Sequence, residues 1–325
     1  MSGFGGVGGA STTFVGLRTY VGIARPSHWI KNVFMLPGAA VALVITPHLS
    51  MSLPLAAAAA IVSVCLLSSA NYTINEYLDR EHDRFHPLKN RRPGALGLLD
   101  PRLVLLQYCT LAACGLMLAW TVNQPFLLTG ICLLVMGLAY NLAPLRTKDR
   151  AYLDVLSESI NSPIRFLLGW FMVTAVLLPP SSVLFAYWMG GAFLMAVKRY
   201  AEYRSIGDAA RAAYYRRAFA RYSERALLLS SFFYALCAAF FIGIFLIKYR
   251  IEFVLTFPLF ATLFTWYLAI GLRQDSAAQA PEKLYRESAF MAFAGLTFLV
   301  ALFMLTVDLP FLRSFMEPHL IHVRP

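Results

Sequence analysis

The chain reads as an all-α membrane protein of nine transmembrane helices, and three observations carry that reading. Its 325 residues are 59% hydrophobic and only 14% charged, with a mean hydropathy of +0.62, whereas soluble domains carry about 25% charged residues. The apolar residues gather into nine runs, at 33–48, 53–78, 103–121, 125–143, 152–178, 181–203, 226–247, 251–272 and 287–307. Most of these approach the ~20 residues that cross a bilayer as helix. Lys and Arg also alternate sharply between the connecting segments, as they do on the two sides of a polytopic membrane protein.

The elements follow in chain order. Residues 1–15 are Gly-rich and small, and are expected as a disordered tail. They lack the basic and apolar regions of a signal peptide and the Gly-Lys-Ser/Thr of a phosphate loop. Arg18, Arg25, Trp29 and Lys31 among apolar neighbours fit a short helix lying in the membrane interface. The run at 33–48 is short and contains Pro37. Links such as TVNQP and LLPPSS join antiparallel neighbours. Residues 16–310 thus form a single transmembrane domain, followed by an extracytoplasmic tail at 311–325. The five cysteines all lie in apolar runs without ligand spacing and read as small core residues.

The amino-terminal segment and the loops at 79–102, 144–151, 198–225 and 273–286 hold nearly all of the 28 Lys and Arg residues. The opposite face holds only Lys248, Arg250, Arg313 and Arg324, and Arg165 falls inside a run. Lys and Arg accumulate on the cytoplasmic side. The expected protein is therefore a multi-pass protein of the inner or plasma membrane, with its amino terminus in the cytoplasm and its carboxyl terminus outside. The net charge of +11 is a topology signal, and no nucleic acid is expected as a partner.

Two polar stripes interrupt this apolar background. Asn71, Asn75, Asp79 and Asp83 recur every four residues at the end of the second run, with Glu76 beside them. Four-residue steps advance only about 40° on a helix, so the four share one slowly drifting face. Asp154, Glu158, Asn161 and Arg165 open the fifth run at steps of four, three and four, within an arc of roughly 60°. The charge count, which used no carboxylate, puts both stripes on the cytoplasmic side.

Ionisable groups at the end of a span are expensive and mark function. Rows of hard oxygen ligands suit Mg²⁺ shared with phosphate oxygens. Two carboxylate walls can hold metal against a diphosphate and neutralise its charge as it leaves. Asn75, Asp79, Asp83, Asp154 and Glu158 are therefore the expected catalytic and metal residues. Lys89, Arg92, Arg146, Lys148, Arg165, Lys198 and Arg199 are the expected diphosphate clamp, Arg being suited to bidentate contact. Competing explanations are plainer. Helix-end capping would account for Asp154 alone, pairing with Glu158 would account for Arg165, and an anionic-lipid surface would account for the basic 198–225 loop. His82 and His86 lack metal spacing and read as loop polar groups.

At these residues the chain resembles the UbiA superfamily of intramembrane prenyltransferases. Asn75-x-x-x-Asp79-x-x-x-Asp83 matches that family's first aspartate-rich motif, and HPLKNRRP at 86–93 resembles the segment after it. Asp154-x-x-x-Glu158 departs from the usual Asp-x-x-x-Asp, and Asn161 takes the third acidic position. Arg25-Pro26-x-x-Trp29-x-Lys31-Asn32 and Lys198-Arg199-Tyr200-Ala201-Glu202 resemble the branch containing decaprenyl-phosphate phosphoribosyltransferases. The spacing after Tyr140-Asn141 differs from the superfamily's Tyr-x-x-x-Lys, and Glu76 replaces an Asp frequent in that branch.

The resemblance implies nine helices around a central cavity, open to cytosol for the polar head and to lipid for an isoprenoid chain. It also implies Mg²⁺-dependent transfer of a prenyl group from a prenyl diphosphate to an aromatic or lipid acceptor, with diphosphate released. The alternative within the class is transfer of ribose phosphate from phosphoribosyl diphosphate to a polyprenyl phosphate. The alternative from another class is a cation-coupled transporter, which would place acids near the bilayer midplane.

Overall fold

A computed structural model describes residues 9–46, 53–85, 89–273, 276–279 and 281–316. Every regular element among them is helical. The α-helices are α1 (Gly9–Ile23), α2 (Leu36–Ile45), α3 (Leu53–Leu78), α4 (Arg80–Asp83), α5 (Pro101–Val122), α6 (Gln124–Asn141), α7 (Leu153–Ser159), α8 (Asn161–Val173), α9 (Ser181–Ile206), α10 (Ala209–Tyr215), α11 (Glu224–Tyr249), α12 (Phe257–Gly271), α13 (Ser288–Thr306) and α14 (Pro310–Met316). A 3₁₀ stretch, Pro26–Met35, joins α1 to α2.

Helix starts follow local chemistry. Asp100 caps α5 by accepting from Arg102 N–H at 2.7 Å, with Pro101 at the first turn. Asn123 caps α6 through Phe126 N–H at 2.9 Å, and Ser223 caps α11 through Ala226 N–H at 3.1 Å. Each cap satisfies an amide that the helix itself leaves without an acceptor. Helix α9 ends on Gly207 at φ +69°, a left-handed conformation that costs glycine little.

Among the described residues, eight helices are long and apolar enough to cross a membrane. The all-helical membrane architecture agrees with the sequence reading, while two of the nine expected spans take other forms. The one at 33–48 joins its 3₁₀ approach in a longer unit, Gly16–Ile45. The one at 152–178 is broken into α7 and α8 at Ile160. Pro163 has no amide to offer the carbonyl four residues back, which disrupts the helix there. Helix α1 begins at Gly9, inside the segment expected as a tail. Residues 1–8, the first three residues of HPLKNRRP (86–88, His86 among them), and residues 317–325 lie outside the described residues.

Two apolar cores divide the bundle. Leu67, Leu133, Phe126, Phe166, Leu168 and Trp170 pack together from α3, α6 and α8. Phe193, Val197, Tyr234, Tyr267 and Phe290 form the other, from α9, α11, α12 and α13. Polar groups inside the bundle are tied across helices. Ser63 donates to the Gly115 carbonyl at 2.8 Å, and Asn71 donates to the Leu133 carbonyl at 2.9 Å. Asn71, the first member of the first stripe, is thus a link between α3 and α6, as polar side chains often are within membranes. Large exposed side chains such as Trp120, Phe240, Ile247 and Phe303 cover the outside, where lipid rather than water is the solvent.

The tightest crossing joins α2 to α8. A Cβ on Gly38 would sit 1.9 Å from the Phe166 carbonyl oxygen, and one on Gly169 would sit 1.9 Å from that of Met35. Both obstacles are backbone, so a larger residue can be accommodated only by separating the helices. Gly38→Val and Gly169→Val are each expected to lose about 3 kcal/mol, the upper end of overpacking costs, seen as a lower thermal midpoint in detergent.

Candidate active site

The first stripe keeps helical register past the end of α3. Asp79 N–H bonds the Asn75 carbonyl at 3.0 Å, and Asp83 N–H bonds that of Asp79 at 2.9 Å. Asn75, Asp79 and Asp83 accordingly line one pocket of about 160 Å³. It lies at the end of the bundle where α3, α6 and α9 finish and α7 begins. Ten Lys and Arg side chains and five carboxylates line it.

Each acid of the first stripe has a cationic neighbour. Lys148 Nζ bonds Asp79 Oδ1 and also donates to Asn141 Oδ1, the latter at 2.8 Å. Arg146 Nη2 lies 3.9 Å from Asp79 Oδ1. Arg92 donates to Asp83 Oδ2 at 2.8 Å. Burial pushes the Asp79 carboxyl up, but Lys148, Arg216 and Arg146 together hold it below the usual carboxylate range. Asp83 goes the other way, because burial outweighs Arg92 and Lys89. Burial also depresses Lys148, reinforced by Arg146 and Arg216. The side-chain amide oxygen of Asn75, Oδ1, is buried and accepts no hydrogen bond from the described residues. Lys148 sits in a short loop bracketed by two non-glycine residues at positive φ, Arg146 at 27° and Tyr152 at 67°. Such strain persists where the surroundings enforce it, commonly at functional sites.

Arg199 dominates the opposite wall. It is 1% exposed, and its guanidinium meets three carboxylates. Nε donates to Asp154 Oδ2 at 3.0 Å, Nη1 to Glu202 Oε2 at 3.1 Å, and Nη2 to Glu158 Oε2 at 2.5 Å. Tyr140 also donates to Glu158 Oε2, at 2.9 Å. Lys89 reaches the same group: its Nζ lies 3.4 Å from Glu202 Oε1 and bonds the Tyr215 hydroxyl. For Lys89, burial works against the charge, but Tyr215 and Glu202 overcome it and raise the ammonium above its usual value.

A cap between α9 and α11 completes the pocket. It comprises α10 and the 3₁₀ turn Arg217–Arg221, built on Tyr200, Tyr215, Phe219 and Tyr222. Tyr215 donates to Glu202 Oε1 at 3.0 Å, and Tyr222 donates to Asp154 Oδ1 at 2.8 Å. Arg216 Nη1 reaches the Tyr140 hydroxyl at 3.3 Å, and its Nε is buried without a partner. Arg217 lies 3.6 Å from Asp149.

The structure therefore gathers Asn75, Asp79, Asp83, Glu158, Lys89, Arg92, Arg146, Lys148, Lys198 and Arg199 around one pocket. Two expected members are absent from its lining. Arg165 neither lines the pocket nor pairs with Glu158. Its Nε donates to Asn32 Oδ1 at 3.2 Å, because the break at Ile160 ends the register that put it on the acidic face. Asp154 is fully buried behind Arg199 rather than in the lining. Arg25, Lys31, Glu202, Tyr215 and Arg216 are pocket residues that the site expectation omitted. Arg25, at φ +51°, pairs with buried Glu76. The interleaved aromatics of YYRRAFARY at 214–222 were a usable signal for the cap.

Fold and site together define an integral membrane protein whose helical bundle carries one cationic, carboxylate-studded pocket at its end. Residues 33–296 match the UbiA prenyltransferase family, and the chain belongs to that family. It is 31% identical over 180 residues to a decaprenyl-phosphate phosphoribosyltransferase of Mycolicibacterium smegmatis, covering 55% of each chain. It is 30% identical over 151 residues to a protoheme IX farnesyltransferase of Geobacillus kaustophilus, covering 44% of this chain and 47% of that one. The matches thus span about half the length of these relatives. The fold resembles a UbiA homolog from Archaeoglobus fulgidus bound to DMAPP and Mg²⁺, with a TM-score of 0.67 and 21% identity over 89% of this chain and 100% of that one.

Removing the cation from the Arg199 cluster would leave three carboxylates without their shared partner. Arg199→Met is expected to cost about 3–5 kcal/mol, the range for breaking a buried pair. Arg165→Met, outside the pocket, is expected to move the thermal midpoint far less. Parallel melts of the two variants make the comparison.

Proposed function

We propose that this protein is a Mg²⁺-dependent membrane transferase that joins an isoprenoid lipid to a group carried on diphosphate, releasing the diphosphate. The observation that carries the reading is the pocket itself. Asn75, whose side-chain Oδ1 is buried and unpartnered, lines the pocket with Asp79 and Asp83 and with ten Lys and Arg side chains. This oxygen donor set fits Mg²⁺. Asn75, Asp79 and Asp83 would hold it, and when bound it supplies Lewis-acid neutralisation of the departing diphosphate. The carbon–oxygen bond to diphosphate breaks, and the same carbon bonds the acceptor oxygen or carbon. Arg92, Arg146, Lys148, Lys198 and Arg216 are placed to bind phosphate oxygens.

The cation count favours phosphoribosyl diphosphate as donor and a polyprenyl phosphate as acceptor. Each phosphate monoester carries about −1.5 to −2 charges near neutrality. A donor with a 5-phosphate and a diphosphate, meeting a lipid phosphate, brings far more negative charge than a prenyl diphosphate does. Ten cations against five carboxylates suit the heavier load. The match to the phosphoribosyltransferase supports this reading. A prenyl diphosphate donor with an aromatic or lipid acceptor is the second reading, supported by the farnesyltransferase match and by the DMAPP-bound homolog. The basic loops share the pocket's end of the bundle, so the positive-inside bias supports a cytoplasmic site and amino terminus, with the carboxyl terminus outside.

Diphosphate release from the purified protein with Mg²⁺ tests the proposal. Release is expected with phosphoribosyl diphosphate plus polyprenyl phosphate. Release only with a prenyl diphosphate would select the second reading, and release from neither donor would overturn the transferase assignment. Asp79→Asn is expected to lose at least about 100-fold in turnover, the scale of losing a key electrostatic group, with its melting behaviour retained.

A further inference from the structure

The two acidic stripes have different chemistry. We propose that Asp154 is a positioning residue that fixes Arg199, and that the second stripe is a socket for this guanidinium rather than a second metal site. Divalent metal is then left to the wall of Asn75, Asp79 and Asp83. The inference rests on the Mg²⁺ reading given above and refines it.

Asp154 has no oxygen to spare. It is 0% exposed, Oδ2 accepts from Arg199 Nε at 3.0 Å, and Oδ1 accepts from the Tyr222 hydroxyl at 2.8 Å. Glu158 does reach the pocket, yet its Oε2 accepts from both Arg199 Nη2 and Tyr140. A metal taking either oxygen of Asp154, or Oε2 of Glu158, would have to displace the Tyr222 hydroxyl or the Arg199 guanidinium, itself only 1% exposed. That would leave a buried cation beside a dication, with Lys198 and Arg216 already close. Charged groups withdrawn from water are stable only while their partners remain. The contrast with Asn75 is direct, because this lining residue keeps its side-chain Oδ1 without a hydrogen-bond donor.

The socket serves a purpose that a metal would not. Arg199 presents a planar fork fixed at three of its nitrogens, and the edge carrying Nη2 meets Glu158 and Tyr140, both lining residues. A guanidinium so fixed holds its positive charge at the pocket wall, with one Nη1 hydrogen beyond these partners, and attracts phosphate oxygens with little ordering left to do. Asp154 and Tyr222 set its angle from behind. Glu158 suits this role as well as an Asp would suit a metal, since the longer side chain reaches the fork from the next helical turn of α7.

Two binding measurements on the detergent-solubilised full chain test the assignment. Mn²⁺ alone is titrated by EPR, and inorganic diphosphate alone is titrated by calorimetry in EDTA. Asp79→Asn is expected to weaken Mn²⁺ by about tenfold or more, as loss of a metal-binding group does. Asp154→Asn is expected to keep Mn²⁺ near wild type while weakening metal-free diphosphate by about tenfold. Asp154→Asn combined with Arg199→Gln removes both charges together, so it carries the test should the single variant fail to fold. Loss of Mn²⁺ from that double variant, to the extent seen in Asp79→Asn, would overturn the proposal. Unchanged diphosphate affinity in Asp154→Asn would do the same. A wild-type chain that binds no Mn²⁺ would overturn the metal reading itself, and this assignment with it.

Discussion

One guanidinium shared by three carboxylates organises the charged end of this bundle. Arg199 lies on α9, a helix that is otherwise a membrane span. A cation there is tolerable only if acids come to it. Glu202 comes from the next turn of the same helix, and Asp154 and Glu158 come from α7. The helical break at Ile160 lets α7 lean onto α9 while α8 stays packed against α2 and α3. The cap then ties onto the cluster, Tyr215 donating to Glu202 Oε1 and Tyr222 to Asp154 Oδ1. Helix geometry, loop conformation and charge are here one arrangement.

The two walls of the pocket differ in what they lack. On the Arg199 wall all three acids accept from the one guanidinium, and tyrosine hydroxyls donate to each of them as well. On the Asp79 wall, burial lowers Lys148 while Asn75 holds an oxygen with nothing to accept. The surplus of cations over carboxylates has no counterpart within the chain's own lining. An anion entering the pocket would strengthen the charge on Lys148 and relieve repulsion among its neighbours. The attraction of this pocket for anions thus arises from a deficit of negative charge in the folded protein itself.

Much of this was legible in the sequence. The four-residue spacing of the first stripe put Asn75, Asp79 and Asp83 on one side, and they do line one pocket because the helical register carries from Asn75 to Asp83. Asn71 escaped the pocket only because the same face drifts with each step, and by that point it meets α6. The second stripe failed beyond Asn161 for a definite reason. A single period from Asp154 to Arg165 crosses the junction at Ile160, where α7 gives way to α8, and Arg165 bonds Asn32 instead. Apolar run length likewise counted the fifth span without registering the break. The cap was hidden because arginines near a membrane surface normally report topology, and spacing alone does not separate Arg216 from the exposed Arg217 beside it. The burial of Asp154 depended on a tyrosine 68 residues away, a pairing that only the tertiary structure discloses.

The crossing of α2 and α8 has a consequence for traffic. Where two glycines bring backbone against backbone, the seam between the helices is sealed along its contact. Neither an acyl chain nor an isoprenoid tail can slip between them, and thermal breathing there would have to move whole helices rather than rotate side chains. Any route by which a long lipid approaches the charged pocket must therefore run through another gap in the bundle. The glycine pair works as a hull seam, deciding from which side of the molecule the bilayer has access.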